Sequence, residues 1–338
     1  MTIPPPVGLF NQMWAESGVS DRETIRTALE EIRHAEAEDF ASIWIGEHHL
    51  PPGGEGAFHG RVPASEIFLA YVAAATTRIA VGTGIKILAT NSARRSAEEM
   101  AMLNLLAPGR VEFGLGMGPT LPGSPESREE KASRFRVLLT GILDWLAHGR
   151  EADGPLMSLA PCPELIGEIW IAARDDPTLA LAAQCGLHLV VGQVEPSSRQ
   201  AEYVRRYRCE GGRGEARGAR LAFVAETRAE AEADCAIATE LYFAALGNKG
   251  YHAQAIADGL LPPIAPTPRE RRRQLDFLVG TPDDVAALLN AHIEETGIDR
   301  LDLMPQLPGI ETAAVRRSMT LIRREVRPKL RLPVRVAA

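Results

Sequence analysis

Ala37-Glu38-Asp39-Phe40-Ala41-Ser42-Ile43-Trp44-Ile45-Gly46-Glu47-His48-His49 packs three signals into one run. A helical pattern ends in acids, a short strand occupies 41–46, and an ionisable segment follows at once. The strand is apolar nearly throughout instead of alternating, as expected when both faces are buried. A strand of that kind belongs to a parallel sheet covered by helices, in which each strand returns through a helix.

The same unit recurs in both directions. Upstream, 7–10 reads as a strand, and a helix over about 21–38 opens on Ser20 with Glu23 at capping-box spacing. Downstream come a helix at 63–75, a β-branched strand at 79–84, a helix at 92–106 stopped by Ala107-Pro108-Gly109, and a strand at 111–115. The second half offers a helix at 129–148, strands at 169–173 and 188–191, and a helix at 197–209. It closes with a strand at 220–225, helices at 228–246 and 282–295, a strand at 300–304 and a helix at 311–326. Eight strands alternating with helices predict an α/β chain with right-handed crossovers.

A doubly wound sheet is the competing architecture, and a dinucleotide binder of that kind places GxGxxG after its first strand. Here the first strand runs into Phe10-Asn11-Gln12-Met13-Trp14, and Gly114-Leu115-Gly116-Met117-Gly118 matches that fingerprint poorly. The expectation is a (β/α)8 TIM barrel, one domain over 1–338, with insertions after strands four and seven. The first insertion, 149–167, is expected to form a small hairpin. The second, 247–280, is rich in proline and is expected to be a lid, a binding loop or a mobile segment.

Composition removes several function classes. The net charge of −7 lacks the basic footprint of a nucleic-acid binder. Arg269-Glu270-Arg271-Arg272-Arg273 reads as a solvated run or an anion contact. No apolar run approaches the ~18 residues needed to cross a bilayer, and no signal peptide is visible, so a soluble, cytoplasmic protein is expected. Cys162, Cys185, Cys209 and Cys235 show no metal or redox spacing and are expected to be buried free thiols.

Barrel enzymes build their sites at the C-terminal ends of the strands. The polar residues there are Asn11 and Gln12; Glu47, His48 and His49; Lys86 and Asn91; Arg174, Asp175 and Thr178; and Gln193 and Glu195. Glu47-His48-His49 is the densest ionisable group, and histidine suits proton transfer near neutral pH. Three uses compete: a metal site, a satisfied hydrogen bond at His49, and an acid/base histidine. Adjacent histidines on extended backbone point apart, and His188 falls at the start of its strand, at the wrong end, so no metal is expected.

The quoted run resembles the second-strand segment of the bacterial-luciferase-like flavin monooxygenases. Ala75-Thr76-Thr77-Arg78-Ile79-Ala80-Val81-Gly82-Thr83-Gly84 is similar to their third strand and its approach. The match continues through Ala97-Glu98-Glu99-Met100 and Gly109-Arg110-Val111-Glu112-Phe113-Gly114, and later through Val279-Gly280-Thr281-Pro282 and Thr296-Gly297-Ile298. The resemblance implies a homodimer formed through the helices after strands two and three. It also implies reduced FMN, delivered by a separate flavin reductase and used with O2 on a small-molecule substrate. His48 would give or take a proton beside the flavin, and Glu47 would orient His48 or bond the cofactor. Gly84-Ile85 falls where the family often has a non-prolyl cis peptide beneath the ring system. Gly116, Met117 and the run Ala173, Arg174, Asp175 and Thr178 would border the cofactor, and Arg134 would meet its phosphate.

After strand four, Gly116-Met117-Gly118 stands where many relatives carry an arginine, and Arg174 is a candidate to replace that charge. Asp175 and Asp176 would repel a phosphate at the same helix start. Trp14, Phe58, Phe113 and Met117 are candidates for a substrate pocket. Two alternatives stay open: a deazaflavin-dependent hydride transfer, and a barrel that serves without cofactor as a binding or partner subunit.

Overall fold

A computed structural model describes residues 6–15, 18–49, 59–119, 125–150, 153–248, 256–257, 259, 262–274 and 276–331. In chain order the strands are β1 (Val7–Asn11), β2 (Trp14–Ala15), β3 (Ser42–Ile45), β4 (His59–Gly60), β5 (Ala80–Ile87) and β6 (Val111–Gly116). They continue with β7 (Ile169–Ile171), β8 (His188–Val191), β9 (Ala216–Val224), β10 (Leu278–Gly280) and β11 (Arg300–Met304). Parallel pairing runs from β11 through β1, β3, β5, β6, β7 and β8 to β9, which pairs β11 and shuts the ring. The eight expected strands therefore form the expected closed (β/α)8 barrel.

Successive strand residues feed two separate cores, and this is why the strands are apolar throughout. Leu9, Ile43, Ile45, Phe113, Leu115, Ile169 and Ile171 pack outward with the helices. Phe10, Trp44, Trp170, Val190, Leu221, Phe223 and Met304 pack inside the ring. The interior is filled unevenly. A Cβ on Gly82 would lie 2.6 Å from the Trp44 indole nitrogen, so that strand must carry glycine for the tryptophan to lie across it.

At the N-terminal end the barrel holds a buried ionic knot. Arg217 bonds Glu112 at 2.7 Å and Asp302 at 3.1 Å, and its guanidinium lies between Trp44 and Trp170, 4.4 and 4.5 Å from their ring centres. Trp44 Nε1 donates to the second Glu112 oxygen at 2.6 Å, and Arg300 reaches the first at 3.0 Å. Burial pushes the Asp302 carboxyl up to about 6 against the pull of Arg217. Buried charge is tolerable only when paired and hydrogen-bonded in this way.

The helices are α1 (Asp21–Ala37), α2 (Ser65–Ala75), α3 (Ala93–Leu106), α4 (Arg128–His148), α5 (Asp176–Gln184), α6 (Ser197–Cys209), α7 (Arg228–Asp234) and α8 (Ala238–Asn248). Three more follow: α9 (Pro268–Gln274), α10 (Pro282–Thr296) and α11 (Thr312–Leu321). Ser20 caps α1 by accepting the Glu23 N–H at 3.2 Å.

Several expectations need correction. The helix expected over 228–246 is two helices, because Cys235 and Ala238 turn into the inner core between them and no glycine or proline marks the break. The described residues of 149–167 form no hairpin. Cys162 N–H returns to the end of α4 through Leu146 O at 2.9 Å, and a 3-10 helix, Pro163–Glu168, leads into β7. The strand expected at 220–225 begins earlier, at Ala216, since Arg217 and Arg220 are buried inside it. Cys162 and Cys235 are buried as expected, but Cys209 is exposed at the end of α6. Of the lid expected at 247–280, residues 249–255, 258, 260–261 and 275 lie outside the described residues, and β10, within its described part, adds a short strand to the end of β9.

Candidate active site

The C-terminal mouth is framed by a two-stranded antiparallel piece that ties the segment after β1 to the segment after β3, with Trp14 opposite Gly60 and Ala15 opposite His59. His48 sits against this frame. Its N–H donates to Val62 O at 2.8 Å, and its Nε2 meets the Gln12 side-chain oxygen. The Trp14 ring lies 6.1 Å from the imidazole. A Cβ on Gly60 would run into the His48 ring, so glycine is required for that approach.

Glu47 is buried and points elsewhere. It accepts His49 Nε2 at 2.7 Å, Ser65 Oγ at 3.4 Å and the Ile87 N–H at 3.3 Å. The expectation that Glu47 orients His48 is therefore corrected: Gln12 holds His48, and Glu47 holds His49. Burial pushes the Glu47 carboxyl up, opposed by the bond from His49 and the charge of Lys86. Lys86 is committed to Glu66 and to Glu99, the latter at 2.9 Å, and Asn91 bonds the Ile87 carbonyl.

On the neighbouring strand β5 the peptide Gly84–Ile85 is cis, at the position the resemblance implied. Gly116 faces it across β6: a Cβ there would collide with Ile85. These backbones give a wall free of side chains at Gly84 and Gly116, on the strands that follow β3 and its His48 segment round the ring, the shape a flat ring system needs.

The anionic end is different. Arg134 lies on α4, but its guanidinium grips Glu126 at 2.9 and 2.6 Å and bonds Ala89 O. Arg174 is forked onto Glu195, bonds Ala173 O at 2.7 Å, and lies over the Tyr203 ring. The expected replacement of a missing cation by Arg174 is not what its side chain does here. Asp175 caps α5, accepting Thr178 N–H at 3.0 Å and Thr178 Oγ at 2.7 Å, and also takes Arg136 at 3.0 Å. That carboxylate occupies the helix start where a phosphate would go, and Asp176 is held by Arg206. The backbone end thus has the shape a flat ring system needs, while both candidate phosphate cations, Arg134 and Arg174, are engaged by carboxylates.

Of the pocket candidates, Trp14 lines the mouth, Phe113 is sealed in the outer core, Met117 packs against that core, and Phe58 lies outside the described residues. Strand-end reasoning missed Tyr242, which comes from α8 to pack edge-on against Trp14 at 5.7 Å, with its hydroxyl 3.5 Å from Gln193. It stands inside the helical stretch expected at 228–246, where strand-end logic does not look. Among the described residues no three His, Cys, Asp or Glu side chains gather as a metal site, and no helix is long and apolar enough to cross a membrane.

A closed parallel barrel with a histidine and a cis, glycine-bearing backbone at its C-terminal mouth defines a (β/α)8 scaffold with a candidate site at the usual end. A family model of the luciferase-like monooxygenases matches residues 7–300, and the chain belongs to that family. It is 30% identical over 178 residues to the luciferase-like monooxygenase of Escherichia coli K12, covering 50% of each chain. The chain thus spans about half the length of the curated relatives it matches. The fold is also that of the oxygenating constituent of 3,6-diketocamphane monooxygenase from Pseudomonas putida, solved with FMN (TM-score 0.77, 20% identity, 98% and 100% of the two chains). An F420-dependent secondary alcohol dehydrogenase shares it too (TM-score 0.67, 15% identity, 97% and 100%).

Proposed function

We propose that this chain is the oxygenating component of a two-component flavin monooxygenase, taking reduced FMN from a separate reductase and acting with O2 on a small organic substrate. The observation that carries this is His48, fixed by Gln12 at the mouth on the strand next to the cis Gly84–Ile85 wall. Reduced flavin, when bound, supplies the electrons that let one atom of O2 pass to a substrate. The protein's share is placement, exclusion of water and proton handling. Gly84, Ile85 and Gly116 would bear the ring, Arg134 would exchange Glu126 for the phosphate, and His48 would hold the proton at Nε2. Trp14 and Tyr242 would set the size of the substrate space.

We further propose a homodimer through α2 and α3. These helices expose Ile67 (75%), Tyr71, Met102, Leu105 (65%) and Leu106, at helical spacings that make one apolar face.

Anaerobic spectroscopic titration with reduced FMN tests the cofactor assignment. Saturable binding is expected, weaker for riboflavin. Binding of reduced deazaflavin alone would move the assignment to hydride transfer, and binding of neither would leave a barrel without cofactor.

A further inference from the structure

Glu31 is buried on α1, only 3% exposed, and has no role in the site as described so far. It also has no directly bonded cation among the described residues. Arg316, the charged group facing it from α11, is bonded to Glu30 at 2.8 Å, and Glu30 itself adds charge of the same sign. The other elements around it, β1, β3 and the segment at Pro305 and Gln306, bring no charged side chain. The partner of Glu31 among the described residues is the Asn11 amide, which donates to it at 3.2 Å.

Asn11 ends β1, and its side-chain oxygen accepts the Met13 N–H at 2.6 Å. That bond closes a turn in which Met13 has a φ of 47°, a left-handed conformation that a side-chain-bearing residue adopts only when its surroundings impose it. The two residues flanking Met13 are Gln12 and Trp14, the contacts of His48. One buried carboxyl is therefore linked, through one amide, to the segment that supplies two of the histidine's neighbours.

We propose that Glu31 is a positioning residue for His48, acting through Asn11 and the Met13 turn, and that protonation of its carboxyl loosens that turn. An ionised carboxylate accepts the Asn11 N–H strongly, and a neutral acid accepts it about half as well. Burial, opposed by the Asn11 bond and the charge of Arg316 and aided by Glu30, pushes Glu31 up to about 7, so the exchange falls near neutrality. A cavity of about 10 Å³ lies beside the carboxyl, close to the size of a single water, and Gln306, whose Oε1 has no partner among the described residues, lines it.

Only the catalytic consequence rests on the flavin proposal; the coupling does not. The test is an NMR titration of the His48 ring in the full chain, labelled at histidine and free of flavin, from about pH 5 to 9. His48→Gln assigns the signal by its loss. In the parent, His48 should show its own inflection and a second one near 7 that reports Glu31. Glu31→Gln, which keeps the size and the acceptor, should remove the second inflection and shift the first by a few tenths of a unit. Asn11→Ala should remove the second as well while Glu31 stays in place. A Glu31→Gln titration that superimposes on the parent overturns the proposal, as does an Asn11→Ala variant that keeps both inflections. Should Glu31→Gln not fold, Asn11→Ala decides alone. Loss of the second inflection in a chain that binds no reduced flavin would uphold Glu31 and sink only the flavin assignment.

Discussion

The two ends of the barrel treat charge in opposite ways. At the N-terminal end, Arg217, Glu112, Asp302 and Arg300 are joined by hydrogen bonds and covered by Trp44 and Trp170. At the C-terminal end a neutral amide, Gln12, contacts His48, and the Glu47 carboxyl is turned toward His49. Locked charge sets a shape, whereas an imidazole beside a neutral amide is the chemistry a proton-transfer site needs. The same ring of strands thus provides a fixed end and a candidate reactive one.

The largest test breaks the fixed end. Arg217→Met should lower unfolding free energy by about 3–5 kcal/mol, because it leaves buried carboxylates without their cation. Chemical denaturation measures this, and a loss under ~1 kcal/mol would contradict the account of the knot. At the reactive end, His48→Ala should cut turnover by roughly 100-fold while the denaturation midpoint hardly moves and flavin affinity holds. Equal turnover in variant and parent removes His48 from the chemistry.

Acid separates the ends more gently. His188 donates to Gly167 O at 2.9 Å and accepts the Glu215 N–H at 2.8 Å, so the fold needs it neutral, and burial holds its proton affinity below the usual histidine range. His292 is pushed down to about 3 from 6.5, mainly by burial and then by Arg220. The unfolded chain protonates both first, so their contribution is complete above about 6.5 and is lost as pH falls below it. The slope is at most ~1.4 kcal/mol per pH unit for each proton. Asp302 works against this between about 6 and 3.8, since its raised carboxyl takes up a proton in the folded chain first. Denaturation midpoints against pH should fall less steeply in His188→Gln. The smallest effect belongs to neither end: Leu105→Asp on α3 should shift sedimentation toward a monomer while changing unfolding of the subunit by no more than ~0.5 kcal/mol.

Much of this was legible in the residues, for identifiable reasons. Continuous apolar strands declared a two-faced parallel sheet, and the histidine run stood out at a strand end. Interior charge did not show. Glu112 and Arg217 are single charged residues inside or beside apolar runs, and only the closed ring reveals that they meet. Arg217 and Arg220 also hid the start of β9. The pairing of His48 with Gln12 joins two different strand ends, so no local pattern encodes it. Glu31 looked like one more acid on an amphipathic helix; its burial depends on how α1 seats against β1. The break between α7 and α8 comes from where Cys235 and Ala238 are packed, which propensity does not record.

The tryptophan laid across β5 and β6 has a bearing on how new substrates would be acquired. Trp44 crowds the Cβ positions of Gly82 and Gly114, and Ile85 crowds that of Gly116. On that half of the wall nearly any mutation strikes an aromatic or branched side chain, and variation there is closed off. Trp14 on β2 and Tyr242 on α8 meet instead through their side chains, 5.7 Å apart and edge-on. A library aimed at diversifying this site should therefore leave those glycines untouched and sample Trp14 and Tyr242.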